Sequence, residues 1–263
     1  MAIELQSSKT NTEYSERGVD AQITHKSMQI KQYRPMKTLL TLTTALLFTA
    51  GSAFAQSNDA SIDQVGDDHD ATISQTGAMN AAYVTQTADA GREGADVGAA
   101  TVTQTGAENY VNLRQRSFYG DSEATITQLG NGNSVRGTSA SSELLQNHGL
   151  NVIDALMEGD DNTLYSLASE AQKNVNTFLL DILGSDNMVG MKQHYGFGDV
   201  EIEGDANSVT LSQHANNNAN AHSAIVDIFG SENTVDVSQT GFAQTATVDV
   251  TGSFNTSTVT QSN

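Results

Sequence analysis

The stretch GSENTVDVSQTGFAQTATVDVTGSFNTSTVTQ (residues 230–261) repeats itself, because its opening GSENTVDVSQ returns 22 residues later as GSFNTSTVTQ. Asn stands three residues after Gly, and Gln six after Asn, in both copies. Apolar residues alternate with polar ones on either side of the Gly-to-Asn segment, which is the pattern of strands with one buried face. The stretch therefore predicts a unit of strand, tight turn and strand.

The same unit recurs through the chain. Three more copies align on their glycine: ALMEGDDNTLYSLA (155–168), LDILGSDNMVGMKQ (180–193) and VEIEGDANSVTLSQ (200–213). The first half carries the pattern in eleven-residue half-steps: QTGAMNAAYVTQ (75–86), QTGAENYVNLRQ (104–115) and the opening QLGNGNSV (128–135). A structural unit repeated at a fixed period is the signature of a solenoid. We predict an all-β fold, a β-solenoid of about 22-residue strand-turn-strand coils.

The fixed residues have physical reasons to recur. Glycine can adopt the positive φ that a tight turn needs, and asparagine tolerates it next best. The turn glycines are Gly77, Gly106, Gly130, Gly159, Gly184, Gly204, Gly230 and Gly252. Asn and Gln share the parity of the inward apolar residues, and a buried amide is costly unless it is hydrogen-bonded. Coils stacked about 4.8 Å apart would let each amide bond the same amide above and below, which predicts Gln and Asn ladders.

Composition and charge narrow the possible functions. Aromatic residues make up 6% of the 263, and there is no Trp and no Cys, so no disulfide holds the fold and no thiol nucleophile exists. The net charge of −19 argues against a nucleic-acid partner. No G-x-S-x-G stands between a strand and a helix, and carboxylates follow the repeat instead of clustering. We expect neither an enzyme nor a cofactor.

The N-terminal part carries an export signal. Met36-Lys37 precedes an apolar run that ends in Ala53-Phe54-Ala55, an A-x-A cleavage pattern, and the run is too short for a good membrane span. We predict an upstream extension (1–35) outside the mature protein, a signal peptide (36–55) and a solenoid domain (56–263). An extended signal n-region is the alternative for 1–35. The mature chain is expected to be secreted through the periplasm.

One stretch departs from the pattern. Residues 135–176 contain VRGTSASSELLQNHGLNVIDA, which lacks the regular spacing of Gln and Asn, and Ala168 stands where Gln is expected. The stretch is either a degenerate coil with a bulging loop or a break between two solenoid blocks. A single solenoid is the favoured interpretation.

The repeats resemble the curlin repeats of curli fibre subunits, the amyloid proteins of bacterial biofilms. The family motif is close to S-x5-Q-x-G-x-x-N-x5-Q, and QTGAMNAAYVTQ (75–86) fits its Gln-to-Gln part throughout. The resemblance covers 64–135 well and 180–261 in a modified form, in which the first Gln is replaced by residues such as Asp227 or Asp249.

The resemblance implies a secreted subunit that polymerises into a cross-β fibre for cell-surface adhesion and biofilm matrix. It implies as partners the chain itself, other curli-type subunits, an outer-membrane secretion pore and accessory proteins. Major subunit, minor subunit and nucleator stay open, and the secretion route is open because only QSND (56–59) separates the predicted cleavage site from the first repeat. The family's structural amides map to Gln75, Asn80, Gln86, Gln104, Asn109, Gln115, Gln128, Asn133, Asn187, Gln193, Asn207, Gln213, Asn233, Gln239, Asn255 and Gln261.

Other functions are compatible with a solenoid. A monomeric surface-binding protein, for ice or for a polysaccharide, would use rows of threonine such as those in TVTQT (101–105), but we expect these rows to be irregular between coils. A β-helix polysaccharide lyase would need side loops that form a cleft. His194 and His214 each follow a ladder Gln, and two stacked imidazoles could bind a metal, although solvated surface histidines are the simpler interpretation.

A column of carboxylates predicts a response to acid or Ca²⁺. Asp181, Glu201, Asp227 and Asp249 share one outward register before the turn glycine, so they would stand about 5 Å apart and repel one another. The simpler role is to keep the chain soluble before export. If the column instead senses charge, acid or Ca²⁺ should shorten the lag of assembly. Equal lag times in acid and at neutral pH, with and without Ca²⁺, would rule this role out.

Overall fold

The structure is a computed structural model that describes residues 55–88, 97–117, 120–139, 142–147, 150–168 and 171–263. The predicted upstream extension (1–35) and the predicted signal peptide (36–55), apart from its last residue, lie outside the described residues. Among the described residues, no helix has the length and apolar character to span a membrane.

The described residues form a single parallel sheet of 18 strands and one short 3-10 helix. The strands are β1 Ala55–Gln56, β2 Asp59–Val65, β3 Asp70–Ala78, β4 Ala81–Ala88, β5 Gly98–Ala107, β6 Tyr110–Ser117, β7 Ser122–Leu129, β8 Ser134–Arg136, β9 Leu144–Asn147, β10 Asn151–Glu158, β11 Thr163–Ser166, β12 Gln172–Leu183, β13 Met188–Glu203, β14 Ser208–Ala215, β15 His222–Phe229, β16 Thr234–Gly241, β17 Thr245–Thr251 and β18 Thr256–Ser262; the 3-10 helix, η1, is Asn218–Asn220.

The strands stack as two parallel ladders. Ladder A contains the strands before each turn: β1, β3, β5, β7, β10, the second half of β12, the second half of β13, β15 and β17. Ladder B contains the strands after it: β2, β4, β6, β8 with β9, β11 with the start of β12, the first half of β13, β14, β16 and β18. Each coil contributes one strand to ladder A and one strand, or two short strands in the irregular stretch, to ladder B. The chain is therefore a β-solenoid, and the predicted fold class is confirmed.

The core lies between the two ladders. Buried and exposed residues alternate along most strands, as in β16, where Val235, Val237 and Gln239 are buried and Asp236 is exposed. Because consecutive coils are in register, each inward apolar residue packs on its counterparts in the coils above and below, as Val209 does on Val189 and Val235. The outward surfaces of ladders A and B are called face A and face B below.

The irregular stretch 135–176 contains the short strands β8, β9 and β11, and both ladders continue through it. Gln146 pairs in register with Gln115, and Gln172 pairs with both Gln146 and Gln193. In the regular coils Gln follows Asn by six residues, whereas longer segments separate Asn133 from Gln146 and Asn162 from Gln172. The chain therefore returns to the same register after each insertion.

The tight turns contain two residues with positive φ. The first is the turn glycine, with φ between 106° at Gly77 and 144° at Gly184. The second is the residue before Asn, for example Asp186 (φ 59°) or Ala206 (φ 56°), and not Asn itself. Asn was expected to share the positive φ of the turn, and this was wrong. Its side chain instead bonds the neighbouring coils and a turn carbonyl.

Replacing a turn glycine should break the stacking of coils. A Cβ at Gly204 would lie 2.0 Å from the Gly230 carbonyl oxygen, whereas a Cβ at Gly252 in the last coil would have Asn255 Nδ2 as its nearest contact at 3.5 Å. Both changes impose backbone strain of about 1–3 kcal/mol, so the difference between them isolates the steric cost. We expect Gly204→Ala to lower the midpoint of denaturant unfolding of the soluble chain far more than Gly252→Ala, as followed by circular dichroism. Equal losses would show that close coil contact is not what requires glycine.

Candidate functional site

Each interior asparagine that follows a tight turn bonds through both its side-chain oxygen and its side-chain nitrogen. Asn187 is buried, and its Oδ1 accepts the backbone N–H and the Nδ2–H of Asn207, both at 3.0 Å. Its Nδ2 donates to Asn162 Oδ1 at 3.1 Å and to the Gly204 carbonyl at 2.8 Å. The side chain thus closes the turn and joins three coils, which satisfies the buried amide and explains why Asn follows each turn.

The asparagine ladder runs the length of the described solenoid. Its members are Asn58, Asn80, Asn109, Asn133, Asn162, Asn187, Asn207, Asn233 and Asn255, with Nδ2 to Oδ1 distances from 3.0 to 3.4 Å. In every pair the later Asn donates its Nδ2–H to the earlier one. The ladder therefore has a direction, with donors facing the N-terminal end.

A glutamine ladder runs beside it with the opposite direction. Each Nε2 donates to the Oε1 of the next coil at 2.8 to 3.0 Å through Gln64, Gln86, Gln115, Gln146, Gln172, Gln193, Gln213, Gln239 and Gln261. The same Nε2 also donates across the core, as Gln213 does to the Phe197 carbonyl at 3.0 Å. These bonds tie ladder B to ladder A.

The two members of this ladder inside the irregular stretch, Gln146 and Gln172, were not predicted from the sequence. Gln146 carries a signal that could have identified it, because it lies two residues after the buried Leu144, as Gln115 lies two after Leu113. Gln172 carries no such signal, because the residue two before it is not the apolar residue of the pattern. Insertions moved both glutamines away from their expected distance after Asn.

A second glutamine row exists in the first coils of ladder A. Gln75 donates to Gln104 at 2.9 Å, and Gln104 donates to Gln128 at 2.8 Å. In the later coils the same register is occupied by apolar residues: Met157, Ile182, Ile202, Ile228 and Val250. The expectation that Asp227 and Asp249 replace the first Gln was wrong by one residue, because both side chains point outward.

Comparison with known families gives three matches to the curlin associated repeat, at residues 55–87, 204–241 and 230–262. The chain is a curlin-repeat protein. No curated protein and no solved structure matches it significantly. The matched segments lie in the first and last coils of the curlin-repeat solenoid, and the coils between them carry the same Asn and Gln ladders despite their inserted loops.

Face A of the curlin-repeat solenoid changes character along its length. In the first coils its outward residues are hydroxyls, with Thr72, Thr101 and Thr125 in one row and Ser74, Thr103 and Thr127 in the next. The expectation of irregular rows was wrong for these three coils. Asp154 and Leu156 end both rows in the following coil, so the hydroxyl grid does not extend along the solenoid as a surface-binding role would need.

Carboxylates dominate the later coils of face A. Asp181, Glu201, Asp227 and Asp249 are exposed and stand in one register. Burial, and secondarily the charge of Asp227, raises the pKa of the neighbouring Asp199. Among the described residues, no group of three or more His, Cys, Asp or Glu is arranged to hold a metal ion. A response of this column to acid or Ca²⁺ stays a prediction.

Three of the described histidines, His194, His214 and His222, lie at the edge of face B and at one inner corner. His194 Nδ1 lies 3.3 Å from His214 Nδ1, and the His194 ring stacks on Tyr195 with centroids 4.7 Å apart. Thr240 continues the register after His214, so the imidazole pair is not extended, and metal binding there stays a prediction. His222 is buried, and burial lowers its pKa.

Ladder A holds glutamines in its first coils and apolar residues at the same register in its later coils. This difference suggests a direct test of the row formed by Gln75, Gln104 and Gln128. Gln104→Met should destabilise the solenoid by about 1–3 kcal/mol, because one N–H of Gln75 and the Oε1 of Gln128 lose their bonds to Gln104. Replacing all three glutamines with Met removes the partners together and copies the apolar register of the later coils, so we expect the triple variant to regain much of the loss. Chemical denaturation of the soluble chain measures both. A triple variant that loses three times as much as the single one would contradict this.

Proposed function

We propose that this curlin-repeat protein is a secreted subunit that adds end to end into curli-like amyloid fibres for cell-surface adhesion and biofilm matrix. The observation that carries the proposal is that the two ends of the stack present the same pair of amides at the same spacing. β2 is flanked by Asn58 and contains Gln64, and β18 is flanked by Asn255 and contains Gln261, six residues apart in both cases.

The direction of the two ladders makes these ends complementary. In the interior each Gln Oε1 accepts from the preceding coil, and within the described residues no preceding coil donates to Gln64. Gln261 Nε2 donates to the Thr245 carbonyl at 3.1 Å and faces no further glutamine. A second copy stacked on β18 would offer Gln64 Oε1 to Gln261 and the Asn58 donors to Asn255 Oδ1. Both bonds would form in a single register.

The end strands are open edges. Every residue of β2 is exposed, including Ile62, which is 44% exposed although it holds a core register. At the other end β18 pairs with β16, no further described strand pairs with it in ladder B, and its inward Val259 is only partly buried. Unpaired strand edges are templates for another chain. A stacked copy would pair both edges and complete the core at the junction.

The route to the cell surface is proposed from the sequence. We propose that 36–55 is removed as a signal peptide, that 1–35 is not part of the mature protein, and that 56–263 is the assembling domain. Other curli-type subunits, an outer-membrane pore and its accessory proteins are the proposed partners. The curlin repeat is a structural repeat, and we propose no catalytic role and no cofactor.

A proline at the open edge should stop growth without unfolding the subunit. Backbone groups of alternate residues in a strand point to opposite neighbouring strands. In the last coil the odd-numbered Asn255 and Asn263 bond to the preceding coil. The N–H and carbonyl of the even-numbered Thr260 therefore face the open end. Thr260→Pro removes a donor at that edge. We expect chain 56–263 to form thioflavin-positive fibres with a reflection near about 4.7 Å, and Thr260→Pro to keep native circular dichroism while failing to seed growth.

The matched control is Thr260→Ala, which keeps the backbone N–H and should elongate like the native chain. Thr260→Pro added in small amounts to native seeds should terminate growth at one end, because its own β2 can still dock. Native elongation by Thr260→Pro, or the absence of fibres from the native chain, would reject the proposed stacking.

A further inference from the structure

We propose that solenoids also pair side by side, with face A of one copy on face B of a neighbouring copy. This contact is distinct from end-to-end growth, because it uses the outward side chains and leaves the strand edges free. It rests on the basic residues of the described chain, which all lie on one face although the stacking of coils does not require this.

Face B carries its positive charge in the middle coils, whereas Asp59, Asp63 and Asp236 lie on it towards the two ends. Every Lys and Arg among the described residues projects from ladder B, on β6, β8, the start of β12 and the first half of β13: Arg114, Arg116, Arg136, Lys173 and Lys192. Arg114 forms an ion pair with Glu143 at 3.3 Å, and Arg136 lies over the Tyr165 ring at 5.9 Å. Tyr83 and Tyr110 meet edge to face on the same surface, with centroids 6.1 Å apart. Aromatic and arginine side chains of this kind are typical of contact surfaces.

Face A carries negative charge and exposed apolar side chains in its later coils. The described residues place no Lys or Arg on this face, and its carboxylates from β10 to β17 are Asp154, Glu158, Asp181, Asp199, Glu201, Glu203, Asp227 and Asp249. Leu183 and Phe229 stand among them, 52% and 58% exposed. Glu158, Asp181, Leu183 and Glu201 line one shallow depression, into which a long basic side chain could reach.

The occupant that fits both faces is a second copy. A soluble polyanion could explain the basic face, but it would leave the acidic and apolar face A without a partner. Copies related by translation along the sheet normal place face A against face B and share one coil spacing, so charges can meet at matching intervals. Sheets packed in this way lie about 10 Å apart. Because the acidic coils lie later in the chain than the basic coils, the copies would be offset by about two coils, or about 10 Å. A contact of this kind does not close, so it builds an open array.

A charge swap tests the pairing. One variant reverses face B (Arg114→Glu, Arg136→Glu, Lys192→Glu), and the other reverses face A (Asp181→Lys, Glu201→Lys, Asp227→Lys). Each variant alone would bring like charges together, which opposes association, so each should form single filaments where the native chain forms bundles. A mixture of the two should bundle again, with the variants alternating. Filament width by electron microscopy measures bundling, and thioflavin growth from seeds measures end addition separately.

A matched control places the same charge change at the turns. Asp161→Lys, Asp186→Lys and Glu232→Lys alter the net charge as the face A variant does, at exposed turn positions, and should leave bundling intact. Sedimentation of the soluble chain at high concentration reports side-by-side pairing even where end addition fails, so the two proposals fail separately. Bundling by either face variant alone, or a mixture that stays unbundled, overturns the proposal. Loss of hyaluronate binding by the face B variant with native bundling would overturn it in favour of a polyanion.

Discussion

A buried amide that bonds the same amide one coil away is the interaction on which this solenoid depends. An amide buried without hydrogen-bond partners destabilises the core, and the same amide in the next coil supplies both a donor and an acceptor at the matching position. The Asn and Gln ladders are therefore satisfied only when consecutive coils stand in register. A slip of one residue would turn every amide outward and every outward residue into the core.

The two kinds of ladder are not equally replaceable, and their contacts explain the difference. Each interior Asn accepts two N–H groups from the next coil and donates to a turn carbonyl, so it serves the backbone of the turn as well as its own ladder. The glutamines of ladder A bond chiefly to one another, with a further bond to a carbonyl across the core. Where the row becomes apolar after Gln128, this last amide still donates to the Tyr110 carbonyl at 3.2 Å. The asparagine after each turn is therefore harder to replace than the glutamine in the core of ladder A.

Periodicity made the coil, the turn glycines and the inward amides predictable, because a strand has one inward and one outward face. Gln172 could not be predicted, because an inserted loop changes the spacing without changing where the chain re-enters the ladder. The position of the first Gln was assigned to Asp227 because that residue is polar. The alternation of inward and outward residues places Ile228 there instead. The left-handed residue before Asn was also missed, since Asp186 and Ala206 share no side-chain property that marks such a conformation.

The outward positions obey a different rule from the inward ones. Stacking of coils constrains the inward residues, which must be apolar or hydrogen-bonded amides. It does not determine which outward face carries a given charge. If the charges served solubility alone, basic residues would be expected on both surfaces. In the described part of the chain, Arg114, Arg136 and Lys192 lie on ladder B, while Asp181 and Glu201 project from ladder A. Because stacking does not require the basic residues to share one face, their placement supports the proposed contact between face A and face B.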